Sequence, residues 1–292
     1  MLVTLQTGSA AFEGSVPRAP LSHVPPPGDA DGWRLLSVDD GFAGVGGSGE
    51  IFGTTGDQYI VIFGNPGAIV LDPSFNRGGD FIQFEGDASE WEVALSGTFA
   101  VFFNQGSYVQ VPVGPGGTTI AFDDGQYELR FDVSTQTVLI GDQQLLEEYF
   151  PVTATGDDLV FPEDPFDPSR VGDVIFNEGG ELALAGFFDV FGTDASEVLI
   201  LVNGEYTLDP SFNKGGDTIG TIYNADTFEA QLNGSSVVLE NNPVLVTIPV
   251  GPNAIDLIFA DAREDLRYDI GSQQVLIGDQ VITADAAPLM IA

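Results

Sequence analysis

The chain has 292 residues, of which 43% are hydrophobic, and 44 acidic against 8 basic side chains give a formal net charge of −36. Such a surface repels nucleic acid and anionic membranes, because binding either requires clustered cations, and no apolar run is long enough to span a membrane. The 22 Phe residues exclude a disordered acidic tail, and with no cysteine the chain has no disulfide or thiolate metal site.

Residues 1–49 predict an extended arm rich in proline and glycine. The segment PRAPLSHVPPPGDADG at 17–32 favours polyproline geometry over packed structure. The start lacks the basic and apolar regions of an ordinary signal peptide. GVGGSG at 44–49 matches GxGxxG, but no helical pattern follows it, so we interpret it as a hinge into the next segment.

An internal duplication follows the arm. LDPSFNRGGD at 71–80 returns as LDPSFNKGGD at 208–217, and from there 33 of 73 positions are identical at a constant offset of 137 without a gap. The FGT at 52–54 and 191–193 lie 139 apart, which places two extra residues of the first copy in the GNPG turn at 64–67. We predict module 1 at 50–148, a connector at 149–186, module 2 at 187–284 and a tail at 285–292.

Each module has the pattern of β-structure. In SYVQVPV, Val109, Val111 and Val113 share one face, and Asn233-Gly234 is a preferred hairpin pair that Ser96-Gly97 replaces in the first copy. No segment has a sustained helical period. The sequence therefore predicts an all-β chain: two homologous antiparallel modules in tandem, each a sandwich, a roll or a short solenoid, with the extended N-terminal arm.

The best-preserved segment of the repeat is an acidic turn. Oxygen-bearing side chains alternate along it and a carboxylate follows two glycines, so one side of the turn could supply some of the six to eight hard oxygen ligands that calcium takes. The candidate calcium ligands are Asp72, Ser74, Asn76 and Asp80 in the first copy and Asp209, Ser211, Asn213 and Asp217 in the second. An Asx turn after Asp72 followed by a Gly-Gly reversal explains the same residues without a metal, and both interpretations stay open.

Catalytic patterns are weak. His23 is the only histidine and lies in the arm, so a Ser-His-Asp system has no base. Paired carboxylates for glycoside hydrolysis are easily formed by chance among so many acids, and the duplication argues against them. We therefore expect no enzymatic activity.

Aromatic side chains of the first copy offer a second kind of site, because exposed rings bind sugars. The second copy replaces Trp91 with Phe228, Phe102 with Leu239 and Tyr108 with Leu245, which favours core packing for the first-copy rings. Phe103 becomes Glu240, so we expect this ring to be exposed.

Gly53 to Val61, GTTGDQYIV, resembles one degenerate rung of the glycine- and aspartate-rich repeats of RTX-type proteins. The order LDPSFNxGGD, VPVGP or IPVGP, an FDDG or FADA turn and VLIGDQ is similar to modules of large secreted bacterial surface proteins of that kind. The resemblance implies type I secretion, an extracellular or cell-surface location and calcium-dependent folding. The tail ADAAPLMIA resembles the uncleaved C-terminal signals of that export route, whereas the tandem GGxGxDxUx runs of true RTX proteins are missing.

These observations predict a structural subunit of a secreted extracellular assembly: a filament, a surface layer or a biofilm matrix. We expect it to be stabilised by calcium and to self-associate into a homopolymer through the arm and module-module contacts. The alternative is a secreted carbohydrate-binding or adhesive protein whose partner is a cell-surface polysaccharide.

Overall fold

A computed structural model describes residues 32–64, 67–77, 79–163, 166–214, 216–251 and 253–291. This part of the chain contains 26 β-strands and four short 3-10 helices, and none of its helices has the length and apolarity needed to cross a membrane. The predicted arm residues 1–31 lie outside the described residues. The all-β prediction is confirmed.

The first half contains fourteen strands: β1 (Trp33–Leu36), β2 (Phe42–Gly47), β3 (Gly49–Phe52), β4 (Tyr59–Ile62), β5 (Gly67–Leu71), β6 (Phe81–Phe84), β7 (Glu92–Ser96), β8 (Phe99–Asn104), β9 (Ser107–Pro112), β10 (Thr118–Phe122), β11 (Gly125–Asp132), β12 (Thr137–Ile140), β13 (Gln143–Gln144) and β14 (Phe150–Pro151). Its 3-10 helices are Pro73–Asn76 and Ala88–Glu90.

The second half contains twelve: β15 (Gly172–Phe176), β16 (Glu181–Phe191), β17 (Val198–Leu208), β18 (Thr218–Thr221), β19 (Glu229–Asn233), β20 (Ser236–Asn241), β21 (Val244–Pro249), β22 (Ile255–Ile258), β23 (Arg263–Asp269), β24 (Gln274–Ile277), β25 (Gln280–Val281) and β26 (Ala287–Pro288). Its 3-10 helices are Pro210–Asn213 and Ala225–Thr227.

The strands form two facing sheets. Sheet I has the order β13-β12-β11-β10-β6-β4-β2-β16-β17-β18-β22-β23-β24-β25, and sheet II has the order β14-β7-β8-β9-β5-β3-β1-β15-β16-β17-β21-β20-β19-β26. Apolar side chains of both sheets fill one core that is continuous along both copies.

Each copy begins as a solenoid of stacked coils. From β1 to β6 the chain alternates between the sheets, so successive strands of one sheet run parallel, as in β1-β3-β5 and β2-β4-β6. The β7–β8 hairpin and the β10–β13 meander then complete the sheets with antiparallel strands. The short-solenoid prediction is confirmed, and the prediction of antiparallel pairing throughout is wrong for the coils.

Two long strands of the second copy pass through both sheets. In β16 and β17 the chain turns the corner at Gly186 and Gly204, with φ of 127° and 134°, instead of leaving the strand. Gly204 lies opposite Val244, and Gly67 lies opposite Ser107, so these pairs are equivalent at the offset of 137. The offset of 139 has therefore ended before β5, which places the two extra residues of the first copy between β4 and β5.

The two copies are joined edge to edge rather than in simple tandem. Antiparallel pairing links β2 to β16 and β1 to β15, with Val45 opposite Leu184 and Leu35 opposite Val174. Each of these pairs is separated by 139 residues, the offset of the repeat in this region. When a residue pairs with its own equivalent on an antiparallel strand, a two-fold axis passes between the two, so the copies are related by a pseudo-two-fold.

Strands also occupy parts of the predicted arm and of the predicted connector. Residues 33–49 of the predicted arm form β1, β2 and the start of β3, and the connector at 149–186 contains β15 and the first half of β16. The GVGGSG segment at 44–49 is not a hinge, because most of it is β2, the strand paired with the second copy. The strands β1, β2 and β15 therefore lie outside the residues that the sequence assigns to the two modules.

The outer ends of the sheets are closed in the same way in both copies. The Gln143 amide donates to the Pro151 carbonyl oxygen at 3.0 Å and accepts from the Thr153 N–H at 2.7 Å. Gln280 makes the equivalent bonds to Pro288 and Met290 at the same distances. These contacts hold the chain across each end, and the edge strands they leave are only two residues long, which limits pairing with other chains.

The corner at Gly204 provides a test of the coil geometry. A Cβ there would lie 1.8 Å from the Gly186 carbonyl oxygen, so Gly204→Ala should lower the free energy of unfolding by about 3 kcal/mol or more. Gly234→Ala is the matched control: φ is also positive, 63°, but nothing lies within 4 Å of the added Cβ, so about 1 kcal/mol is expected. Equal losses in urea unfolding would contradict the close approach of the two strands.

Candidate functional site: the two acidic turns

The acidic turns are N-caps of short 3-10 helices. Asp72 Oδ1 accepts the backbone N–H of Ser74 and that of Gly53, both at 3.2 Å, and Asp209 Oδ1 accepts the Ser211 N–H at 2.8 Å. The Ser74 hydroxyl also donates to Asp72. The geometry is that of the Asx turn, the interpretation that requires no metal.

Each turn is anchored from beneath by a phenylalanine. Phe75 and Phe212, in the middle of the two 3-10 helices, are both fully buried. Phe212 contacts Phe176 of β15 with ring centroids 5.7 Å apart, and the Phe75 carbonyl accepts the Thr118 hydroxyl at 2.9 Å. Because core contacts hold these turns in place, packing alone is a sufficient reason for the two copies to have nearly the same turn sequence.

The last carboxylate of each turn lies inside the protein. Asp80 and Asp217 are 1% and 0% exposed. Asp80 Oδ1 accepts the Gln58 N–H, and Asp217 Oδ1 accepts the Glu197 N–H, each at 3.0 Å. These bonds tie the start of β6 and β18 to the loop that precedes the neighbouring coil strand.

Burial sets the electrostatics of these two carboxyls. Burial raises the pKa of Asp80 to about 7, and repulsion from Asp57 and Asp72 adds to the rise, although the bond from the Gln58 N–H opposes it. Burial also raises the pKa of Asp217, and the adjacent Glu197 side chain adds to that effect. Asp209 differs, because bonds from the Ser211 hydroxyl and N–H lower its pKa.

Gln58 and Glu197 are the site residues that the sequence interpretation missed. They occupy equivalent positions, 139 residues apart, and each side chain accepts a hydrogen bond from the threonine N–H of the equivalent loop in its own copy, Thr54 or Thr193. The Gln58 amide donates to Thr54 Oγ1 at 2.7 Å and to the Gly56 carbonyl at 2.6 Å. The FGT pair at 52–54 and 191–193 would have aligned them, but the gapless repeat starts beyond this loop.

The structure does not gather the predicted calcium ligands into one cage. Ser74 is bonded to Asp72, Asp80 and Asp217 face inward, and the side chain of Asn213 lies outside the described residues. Across the described ranges, no group of three acidic or histidine side chains is arranged to hold a metal ion. Calcium binding stays a prediction, and we identify no ligand residue for it.

The large aromatic residues of the first copy lie mainly in the core, as expected. Trp91 and Phe102 are 1% and 0% exposed, and their ring centroids lie 4.7 and 4.9 Å from that of Phe84. Phe103 is half-buried, 6.4 Å from Tyr149. The core prediction is confirmed for Trp91 and Phe102, and Phe103 is less exposed than predicted.

Comparison with known proteins leaves the family open. No protein-family model matches the chain, and no curated protein matches it. Among solved structures it matches the extracellular lipase LipA from Serratia marcescens, with 14% identity and a TM-score of 0.24, over 75% of this chain and 38% of the lipase. The match thus spans less than half of the lipase, and a likeness this low carries no argument about the site. The all-β fold of stacked coils agrees with the coarse part of the RTX-type resemblance.

One prediction is corrected by this comparison. The sequence predicted a chain without enzymatic activity, whereas the matched structure is that of a lipase. The prediction is therefore withdrawn. No activity takes its place, since the TM-score is too low to transfer one.

The cap at Asp209 gives a test that separates turn geometry from metal binding. Asp209→Ala should lower the free energy of unfolding by about 1 kcal/mol, whereas Asp209→Asn, which keeps an acceptor oxygen, should cost less. Because the pKa of Asp209 is lowered in the folded state, its stabilisation is present above about pH 4 and is lost as the pH falls through the folded value. Urea unfolding with calcium and with EGTA measures both effects. A loss in Asp209→Ala that appears only with calcium would contradict the capping role.

Proposed function

We propose that this chain is a structural subunit of an extracellular assembly, stabilised by calcium and able to self-associate into a homopolymer. The observation that carries the proposal is the edge-to-edge joint, with Val45 opposite Leu184 and Leu35 opposite Val174. The joint makes one elongated body with a continuous core and two like ends. A body of this kind is suited to bearing load between neighbours.

The pseudo-two-fold supports polymer growth. A surface patch of one copy recurs on the other, so a contact between like patches of two molecules leaves the second patch of each molecule free. Growth can then continue at both ends. The end contacts of Gln143 and Gln280 leave little free sheet edge, so the proposed joints use faces of the body and the arm at residues 1–31.

Calcium enters through the net charge of −36. Molecules with that charge repel one another, and at physiological ionic strength the repulsion extends over about 8 Å. Divalent cations between acidic surfaces remove this barrier to contact. The extracellular location and type I export belong to the same proposal, with the sequence resemblance as their support.

The assembly is tested on the full chain and on a variant lacking residues 1–31, which keeps every strand of the described structure because β1 starts at Trp33. Light scattering and electron microscopy should show high-mass species of the full chain in calcium, monomers in EGTA and a large reduction in the variant. Monomers of the full chain in calcium would contradict self-association. Full assembly by the variant would contradict the role of the arm alone.

A carbohydrate-binding role is the second candidate. The half-buried rings of Phe103 and Tyr149 lie 6.4 Å apart at the sheet II side of the first copy, and the second copy has Glu240 at the position of Phe103. Stacked or edge-on rings of this kind bind sugar faces. A glycan array in calcium-containing buffer tests the role with Phe103→Glu as the control, because that change reproduces the second copy. Equal signals from both proteins would contradict it.

A further inference from the structure

The outer face of sheet II has no net charge in the first copy. Along the strands β8, β9, β5, β3 and β1, the side chains that alternate with the core residues point away from the core. Within these described strands Arg34 and Glu50 are the only charged residues, and they pair with each other at 3.7 Å. The outward side of these five strands, here called the neutral face, is therefore uncharged on a chain whose net charge is −36.

The neutral face is also apolar. Leu36 is 38% exposed, and Phe52, Val70, Phe103 and Tyr108 are half-buried. Strand pairing brings these side chains into one surface, because Leu36 lies opposite Phe52 on β3 and Phe103 lies opposite Tyr108 on β9, with β5 between β3 and β9. A contiguous apolar surface with aromatic rings and few charges is typical of a protein–protein contact.

The second copy has the same face in an acidic form. Its equivalent strands are β20, β21, the second halves of β17 and β16, and β15, and they pair in the same order. Their outward positions carry four carboxylates and no cation within the described strands. The replacements are Arg34 by Asp173, Glu50 by Asp189, Ala68 by Glu205 and Phe103 by Glu240.

This difference shows that the fold does not require a neutral face. The strand registers are the same in both copies, and an acidic surface is the form that keeps a face solvated and apart from other molecules. The first copy departs from that form at adjacent positions of one surface. We therefore interpret the neutral face as a surface that another molecule covers.

A second copy of the chain is the partner that fits this face. Like faces repel each other wherever they carry acids, whereas two neutral faces do not. The outer side of a sheet is also complementary in shape to another such side, since sheets pack face to face about 10 Å apart. A two-fold contact needs only one surface, used by both molecules.

We propose that the neutral face joins two molecules in an isologous dimer. The dimer supplies one contact of the proposed self-association and in that sense rests on the proposed function. Each molecule has one neutral face, because the equivalent surface of the second copy is acidic, so this contact closes after two molecules. The dimer is then the unit that calcium links into a polymer.

The size and charge of the molecules set the conditions for this contact. Five strands about 4.8 Å apart make a face about 20 Å wide, which is at the small end of specific interfaces and gives a weak dimer. At low ionic strength the charges on the rest of the two molecules oppose contact, whereas about 1 M salt shortens the range of their repulsion to about 3 Å. Salt can therefore replace calcium for this dimer, but not for contacts that need a cation between carboxylates.

Sedimentation velocity in EGTA, over a range of protein concentrations, tests the dimer. The wild type should be monomeric at low salt and form dimers in about 1 M NaCl. Phe103→Glu introduces the second-copy residue and should weaken dimerisation by about tenfold or more, because a carboxylate would be buried without a partner. Thr207→Glu is the matched control: it adds the same charge at an exposed position of the acidic face and should leave dimerisation unchanged.

The outcomes separate this inference from the proposed assembly. A wild type that stays monomeric in about 1 M NaCl, or dimerises no better than Phe103→Glu, would overturn the dimer. If Phe103→Glu does not fold, Ala68→Glu, which reproduces Glu205, takes its place. High-mass species in calcium without dimers in NaCl would leave the assembly standing and overturn only the dimer. Dimers in NaCl without high-mass species in calcium would do the reverse.

Discussion

The pairing of β2 with β16 and of β1 with β15 is the contact on which the rest of the structure depends. A two-sheet coil of four to six strands has an exposed edge at each end and a small core. Joining two such coils at one edge removes two exposed edges and makes one core, and the 3-10 turns, hairpins and end contacts are then all built on that body. The pseudo-two-fold explains why they occur as matched pairs.

Duplication also shows which parts of the module tolerate change. The buried aromatic cluster around Phe84 in the first copy becomes Thr221, Phe228 and Leu239 in the second, so the core volume is filled differently while the strand registers are retained. The turn residues from Leu71 to Asp80 hardly change. Backbone geometry is the stricter constraint, because a corner or cap admits few residues whereas a core admits many combinations.

Much of the second half of each module was predictable, because apolar and polar residues alternate in β9 and glycines mark the hairpin turns. Both signals depend only on residues that are neighbours in sequence. The coils were not. Parallel pairing of β4 with β6 joins residues some 20 apart, and nothing in either strand alone specifies its neighbour. In residues 33–49 the first copy shares little with the second beyond Gly41 and Gly47, and the FGT follows only at 52–54, so the joint had no signal in sequence identity. In the candidate site, the cap at Asp72 was predictable from the sequence of its own turn. The hydrogen bond from the Glu197 N–H to Asp217 was not, because it depends on the register of the coils.

The pseudo-two-fold has a further consequence for recognition. Any partner that contacts the acidic turn at Asp72 meets a near-identical turn at Asp209 on the same rigid body. A partner with repeated binding groups, such as a polymer, engages the second turn at a high effective concentration once the first is bound. Weak contacts at each turn then combine into strong bivalent attachment, and a partner with a single binding group is released quickly.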